Sequence, residues 1–140
     1  IKVGIDTQIP IMVPGGAGKY TRIQYSDFPV AMIKAMGMQI WRGGLPVLDD
    51  LHNTSYGWKR EEKLEKYKEA IRGLEPGVTM MIMHCTDPTE VFPIFTGSTE
   101  TRLGDLEAVT HPEFKKTLEE EGVILTTFAE LMERRKKIQD

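Results

Sequence analysis

Two hydrophobic periods take turns along the chain. Val78-Thr79-Met80-Met81-Ile82-Met83 is apolar on both faces and of strand length, and it leaves a sharp Glu75-Pro76-Gly77 turn. A run of this kind predicts a strand covered on both sides, as in a parallel sheet. Ile9-Pro10-Ile11-Met12-Val13 predicts a second strand, short and β-branched, with its proline where no ladder N–H is needed. Pro14-Gly15-Gly16-Ala17-Gly18-Lys19 ends it. Leu45-Pro46-Val47-Leu48 and Val123-Ile124-Leu125-Thr126 complete a set of four strands.

Between these runs the spacing becomes helical. Ser26 reads as an N-cap for a helix with Phe28, Ala31, Met32, Ala35 and Met36 as its apolar stripe, closed by Gly37 or by Gly43-Gly44. Residues 58–74 form the clearest helix, with Leu64, Tyr67, Ile71 and Leu74 on one face and Lys and Glu on the other. Thr110-His111-Pro112-Glu113 has capping-box spacing and opens a helix that runs through Glu121 to Gly122. Thr127-Phe128-Ala129-Glu130 repeats that spacing before a last helix with Phe128, Leu131, Met132 and Ile138 as apolar positions. Residues 85–101 read as a long irregular segment, and residues 1–5 fit a helix end or a strand lead equally. The alternation predicts an α/β fold with parallel strands and flanking helices, one domain over residues 1–140.

Composition narrows the function classes. At 140 residues, 40% apolar and 28% charged, the chain is long enough to bury its own core. A net charge of -3 and a pI near 5.7 argue against a nucleic-acid binder. The basic run Arg134-Arg135-Lys136-Lys137 ends the last helix, where it meets the helix dipole favourably. A single cysteine, Cys85, excludes an internal disulfide and fits a reducing, cytoplasmic setting. No stretch is long and apolar enough to span a bilayer, so no membrane partner is expected. The chain opens on Ile1-Lys2-Val3-Gly4-Ile5 with no feature of a signal peptide, which is the expectation for a piece cut from inside a longer protein.

Candidate chemistry gathers behind the strands. In parallel sheets the ligand crevice lies beyond the carboxyl ends, which is where His84, Cys85, Thr86 and Asp87 follow the run 78–83. Histidine ordinarily changes charge near neutrality, so His84 suits proton transfer or metal ligation as well as a structural hydrogen bond. Asp87 reads as a ring-orienting group or as a cap for the Pro88 turn. Asp49-Asp50-Leu51-His52 puts oxygen and nitrogen donors after another strand, but neighbouring aspartates in extended backbone face opposite ways, and a zinc site needs three or four converging ligands. The Gly15 to Lys19 loop invites a phosphate-loop reading, which fails because Val13 stands at the first glycine and Tyr20 at the Ser/Thr position. Arg102 and Asp105, three apart, read as a local ion pair or as contacts to an anionic or polyhydroxy ligand. Trp41, Tyr56 and Trp58 read as core residues or sugar-stacking platforms.

An ordered series of short motifs adds to this. Leu74-Glu75-Pro76-Gly77-Val78-Thr79, Ile82-Met83-His84, Thr96-Gly97-Ser98, Arg102, Asp105-Leu106-Glu107-Ala108, Pro112 and Glu121-Gly122-Val123-Ile124-Leu125 resembles the carboxyl-terminal half of the YdjC-like carbohydrate deacetylases. The resemblance extends upstream through Pro14-Gly15-Gly16 and Gly44-Leu45-Pro46-Val47-Leu48-Asp49-Asp50-Leu51-His52. It implies part of a (β/α) barrel of the polysaccharide-deacetylase type, with its amino-terminal half absent. It also implies a hydrolase removing N-acetyl groups from amino-sugar oligosaccharides with a divalent metal, Mg or Zn. His84 would be the proton donor to the leaving amine, Arg102 and Asp105 would support the site, and Gly15, Gly16, Asp50 and His52 would shape the substrate crevice.

The family's early aspartate pair and histidine-rich motif have no counterpart here, and Cys85-Thr86 stand where proline and glycine usually follow the histidine. The 140 residues alone are therefore expected to hold no catalytic metal and to hydrolyse nothing. A homodimer is plausible from the family. Two alternatives stand beside this reading: a non-catalytic sugar-binding or regulatory relative, and a phosphosugar-handling α/β enzyme using the Gly15 to Lys19 loop.

Overall fold

The structure is a computed structural model that describes residues 1–138. It is an α/β chain, 54% helical, with a small two-stranded parallel sheet. It divides into two compact units, one built from Ile1–His52, Glu75–Met80 and the stretch from Leu125 on, the other from Asn53–Leu74 and Met81–Ile124.

In the first unit, helices α1 (Lys2–Thr7), α2 (Lys19–Gln24) and α3 (Val30–Arg42) precede strand β1 (Asp50–His52). The strand partner is β2 (Thr79–Met81). The amides of Asp49 and Asp50 donate to the Val78 carbonyl at 2.9 and 3.2 Å, and the Asp49 carboxylate accepts from the Val78 amide at 2.8 Å. Ile33, Ile40, Leu45, Leu48 and Leu51 form the apolar core, joined by Leu131 of the last helix, α8 (Phe128–Lys136). Arg135 of that helix is buried with its guanidinium carbon 3.7 Å from the Trp41 ring centroid, and it donates to the Trp41 carbonyl. The Thr127 capping box forms as its spacing predicts, and Arg134, Arg135 and Lys136 occupy the last turn.

The second unit is helical around one aromatic centre. Short 3-10 turns at Ser55–Gly57 and Arg60–Glu62 lead into α4 (Lys63–Arg72), and α5 (Phe92–Phe95), α6 (Thr99–Thr110) and α7 (Pro112–Glu120) follow. Tyr67 is fully buried between Trp58 and Phe114, each meeting it edge-on, at 5.1 and 6.1 Å between ring centroids. Ala70, Ile71, Ala108 and Thr117 fill the rest of the core.

Several elements depart from the sequence expectation. Residues 9–13 form no strand; the sheet is met there only by a parallel bridge between Pro14 and Leu48. The ladder expected at 45–48 falls downstream, at β1. Residues 123–126 also form none, and Ile124 and Leu125 are 81% and 77% exposed. A strand is stabilised by a neighbour's hydrogen bonds, and among the described residues no strand pairs with these apolar runs. The run 78–83 yields a strand at Thr79–Met81 whose residues are half-buried, not covered on both sides.

Helix α3 starts behind Pro29, not at Ser26, and buries Ile33, Gly37 and Ile40, the face opposite the expected stripe. The 58–74 helix begins only at Lys63, because Trp58 and Lys59 are extended. In α7 the N-cap is His111, whose Nδ1 accepts from the Glu113 amide at 3.2 Å. Thr110 still belongs to α6 and turns its hydroxyl back to the Leu106 carbonyl, so it cannot cap the next helix. Residues 92–95 and 99–110, read as irregular up to 101, are helical.

Close approach fixes one glycine in the second unit. A Cβ on Gly104 would stand 2.9 Å from the Arg60 Cα and 2.9 Å from the Lys63 Cδ, whereas one on Gly57 would meet nothing within 4 Å. Gly104→Ala is expected to destabilise the protein by about 1–3 kcal/mol through overpacking, while Gly57→Ala stays within about 0.5 kcal/mol, as surface changes do. Urea-unfolding midpoints of the two variants check the contrast.

Candidate functional site

His84 stands three residues beyond β2, at the carboxyl end of the strand, as its position after the apolar run predicts. It is half-buried, and its ring meets the Tyr56 ring edge-on at 5.7 Å and 89°. Its backbone amide donates to Asp105 Oδ2 at 2.8 Å. The same carboxylate, fully buried on α6, accepts from Lys63 Nζ and from the Tyr67 hydroxyl through Oδ1, each at 2.6 Å. Lys63 is itself fully buried. Burial, and then the hydrogen bond to Asp105, push the Tyr67 phenol well above its ordinary range, so it stays a donor at any working pH. The neighbouring Cys85 thiol is exposed, and it is raised first by partial burial and then by the Asp105 charge, so it stays a thiol at neutrality.

Asp105 and Arg102 do not form the local ion pair that their spacing allows. Asp105 faces inward to α4, while Arg102 Nε donates to the Ser98 hydroxyl at 2.8 Å and its guanidinium lies over the Phe92 ring. The structure therefore brings His84 and Asp105 together, while Arg102, one turn away on α6, is engaged by Ser98 and Phe92 instead. Ser55 supports the same region by donating to the Ile82 carbonyl at 3.0 Å. Lys63 and Tyr67 carry no chemical motif, and their shared partner lies 42 and 38 residues along the chain, so no local spacing signals their role. Trp58 is a core residue against Tyr67, with Lys66 over its ring.

The other candidate residues lie in the first unit. Asp50 is 2% exposed, and its carboxylate collects the amide ends of α2. Oδ1 accepts from the Thr21 amide, the Thr21 hydroxyl and the Leu51 amide at 2.7, 2.8 and 2.9 Å, and Oδ2 accepts from the Tyr20 amide at 3.0 Å. The remaining first-turn amide, of Lys19, donates to Glu75 at 2.9 Å. A six-residue helix whose own N-cap is Gly18 has no local side chain for these donors, so a distant aspartate caps it. Gly18 is required there, since a Cβ would sit 2.5 Å from the Asp50 Cγ. Burial alone would raise the Asp50 carboxyl, but the Tyr20, Thr21 and Leu51 donors outweigh it and hold the group below the usual carboxylate range.

His52 is likewise 2% exposed, edge-on to Tyr20 at 4.8 Å. Burial lowers its pKa although the Asp50 charge pulls the other way. Both residues are thus anchors of the scaffold.

A cavity of about 370 Å³ opens beside them, lined among others by Gly16, Ala17, Arg22, Lys34, Asp50 and Glu75. Arg22 is paired with Glu75 at 3.2 Å across it. Gly15 lies under this rim and packs on Gly37. The loop is pinned, and its amides turn inward: Gly15 and Gly16 donate to the Leu48 carbonyl and Gly18 to that of Asp49. That leaves no row of free N–H groups for a phosphate. Among the described residues no three His, Cys, Asp or Glu side chains converge, so these donors do not fit a metal cage.

No family model matches the chain, and neither a curated protein nor a solved structure does. Among the described residues no helix is long and apolar enough to cross a membrane.

Two outcomes follow from these buried groups. Asp105→Leu strands the Lys63 ammonium and is expected to cost about 3–5 kcal/mol, whereas Lys63→Met with Asp105→Leu recovers most of the loss; urea unfolding of the single and double variants measures both. His52 and Asp50 have native pKa values below their unfolded ones, so the native state binds fewer protons and stability rises with pH. Stability is expected to fall as the pH drops below about 6.5, through His52, and again below about 4, through Asp50. A urea midpoint series against pH should lose its upper step in His52→Gln and its lower step in Asp50→Asn.

Proposed function

We propose that this chain is the carboxyl-terminal half of a metal-dependent carbohydrate deacetylase, a cytoplasmic hydrolase acting on N-acetyl groups of amino-sugar oligosaccharides. The observation that carries the reading is the setting of His84. It is a histidine at the carboxyl end of a parallel strand, its backbone held by a fully buried carboxylate and its ring left partly open to solvent. A group that must deliver a proton at a fixed point needs that combination of anchored main chain and accessible imidazole. The motif series running from Gly15 to Leu125 supplies the family.

In this reading the fold is a portion of a (β/α) barrel. The apolar, ladder-free stretch 123–126 then corresponds to a late barrel strand whose neighbour belongs to a preceding segment. The divalent metal is held by residues of that segment, and no residue described here is assigned to it. The work left to this chain is proton delivery. Water adds to the acetyl carbonyl, and the tetrahedral intermediate expels the sugar nitrogen. An amide nitrogen is too basic to leave as an anion, so His84 gives it a proton as the C–N bond breaks, releasing acetate and the free amine. The Tyr56 edge limits the ring's orientations, and Asp105 holds the His84 main chain. The cavity beside Gly16 and Asp50, within the first unit, is itself within the size range of small-ligand sites.

The test uses the full-length protein with its metal. His84→Gln is expected to lower kcat for deacetylation of a chitooligosaccharide by about 100-fold or more, the scale of a lost general acid, with oligosaccharide affinity kept. Equal rates in the two proteins would remove the assigned role. Oligosaccharide binding with no acetate release from either protein would place the chain among non-catalytic sugar-binding relatives.

A further inference from the structure

Three aromatic residues are candidate sugar platforms in the sequence, and the fold engages two of them. Trp41 has the Arg135 guanidinium carbon 3.7 Å from its ring centroid, and Trp58 packs on Tyr67 with Lys66 over its ring. Tyr56 is left. It is 50% exposed, and its hydroxyl makes no hydrogen bond among the described residues, whereas the hydroxyl of a core tyrosine finds a partner. Its ring stands 5.7 Å from that of His84 and perpendicular to it, at 89°. A perpendicular neighbour covers at most one face of a ring, so tyrosine surface remains open beside the imidazole.

Two ties hold Tyr56 there, and both close on His84. Ser55, the preceding residue of the same 3-10 turn, donates to the Ile82 carbonyl at 3.0 Å, two residues ahead of the histidine. The Tyr56 carbonyl accepts from the Thr101 hydroxyl of α6 at 2.8 Å, and α6 also carries Asp105, which accepts from the His84 amide. The turn, the strand exit and the helix thus form one closed frame, with the tyrosine and the histidine fixed on it side by side. Gly57, the next residue, borders open space, since a Cβ there would meet nothing within 4 Å. A solitary surface aromatic needs no explanation. A ring ordered in advance beside a proton-carrying group is another matter, because it loses little freedom when a ligand settles on it.

From this frame we infer that Tyr56 is a specificity-determining residue of the His84 site, a platform for the apolar face of the pyranose whose nitrogen His84 protonates. The inference rests on the deacetylase reading. The class of ligand follows from the ring. A tyrosine face is the negative side of its quadrupole, and a pyranose with equatorial substituents offers it a flat set of axial C–H groups. An amino sugar of that configuration keeps its nitrogen on the rim of the stack, open to a neighbour at the side. An axial hydroxyl would hold the sugar off the platform.

The experiment measures binding without turnover, in the metal-loaded full-length protein carrying His84→Gln, with a chitooligosaccharide as the probe. Adding Tyr56→Ala is expected to weaken affinity about 10-fold or more, with the circular dichroism spectrum unchanged, and Tyr56→Phe, which keeps the ring, to recover most of the loss. With Tyr56 intact, the C–H protons of the bound sugar should shift upfield through the ring current. That readout leaves position 56 unaltered, so it decides even where Tyr56→Ala fails to fold. Equal affinity in Tyr56→Ala, or a bound sugar without the upfield shift, would overturn the assignment, while acetate release by the unsubstituted protein would keep the deacetylase reading in place. Binding with the upfield shift but no acetate release by that protein would keep the platform and remove the hydrolase. A protein that neither binds the oligosaccharide nor releases acetate overturns both.

Discussion

A carboxylate without water must be surrounded by donors, and Asp105 meets that demand with three donors from two separate stretches of chain. The Lys63 ammonium and the Tyr67 hydroxyl come from α4, and the His84 amide comes from the segment behind β2. Removing the two charges from water costs several kcal/mol for each ion, which the mutual attraction offsets only when every remaining lone pair is also satisfied. What such an arrangement provides is definition. An apolar contact can slide, but the three donors must arrive within hydrogen-bond distance together, which sets the register of α6 on α4 and the level at which the chain leaves the strand. Gly104 belongs to the same constraint, because only a residue without a Cβ lets α6 come close enough to Arg60 and Lys63 for Asp105 to reach them.

Asp50 solves a related problem in the first unit with different partners. Its donors are the Tyr20, Thr21 and Leu51 amides and one hydroxyl, and none carries a full charge. The positive end of a short helix replaces the ammonium. The helix gains a cap that it lacks locally, and the aspartate gains donors that its own strand does not supply. A residue type first considered for substrate contact is thereby committed to the scaffold, and the cavity takes its shape from the loop and helix that Asp50 holds.

How much of this could be read from the residues depends on the range of the interactions involved. Helix α8 was legible because its signals lie within four residues: Thr127, Glu130 and the basic last turn. The site of His84 was legible for the same reason, being a short apolar run with a turn before it. Asp105 was visible as a candidate, but its partners lie 21 to 42 residues away, so neither the ion pair nor the role of Lys63 follows from spacing. The cap of α2 is equally remote, at 29 and 30 residues, and α2 itself went unread. Strands failed most often. An apolar run has strand propensity by itself, but becomes a strand only where another segment offers a ladder, and among the described residues none pairs with 9–13 or 123–126. For α3 the period was right and the face was wrong, since a helix with two apolar stripes gives a hydrophobic pattern that does not say which side the core is on.

The two kinds of exposed apolar surface in this chain ask for different partners. An apolar run such as 123–126, outside any ladder among the described residues, would be complemented by another strand that supplies directional bonds. The outer face of α3 has no such need, because a helix satisfies its own backbone, and its complement is a surface of matching shape with charges at the right ends.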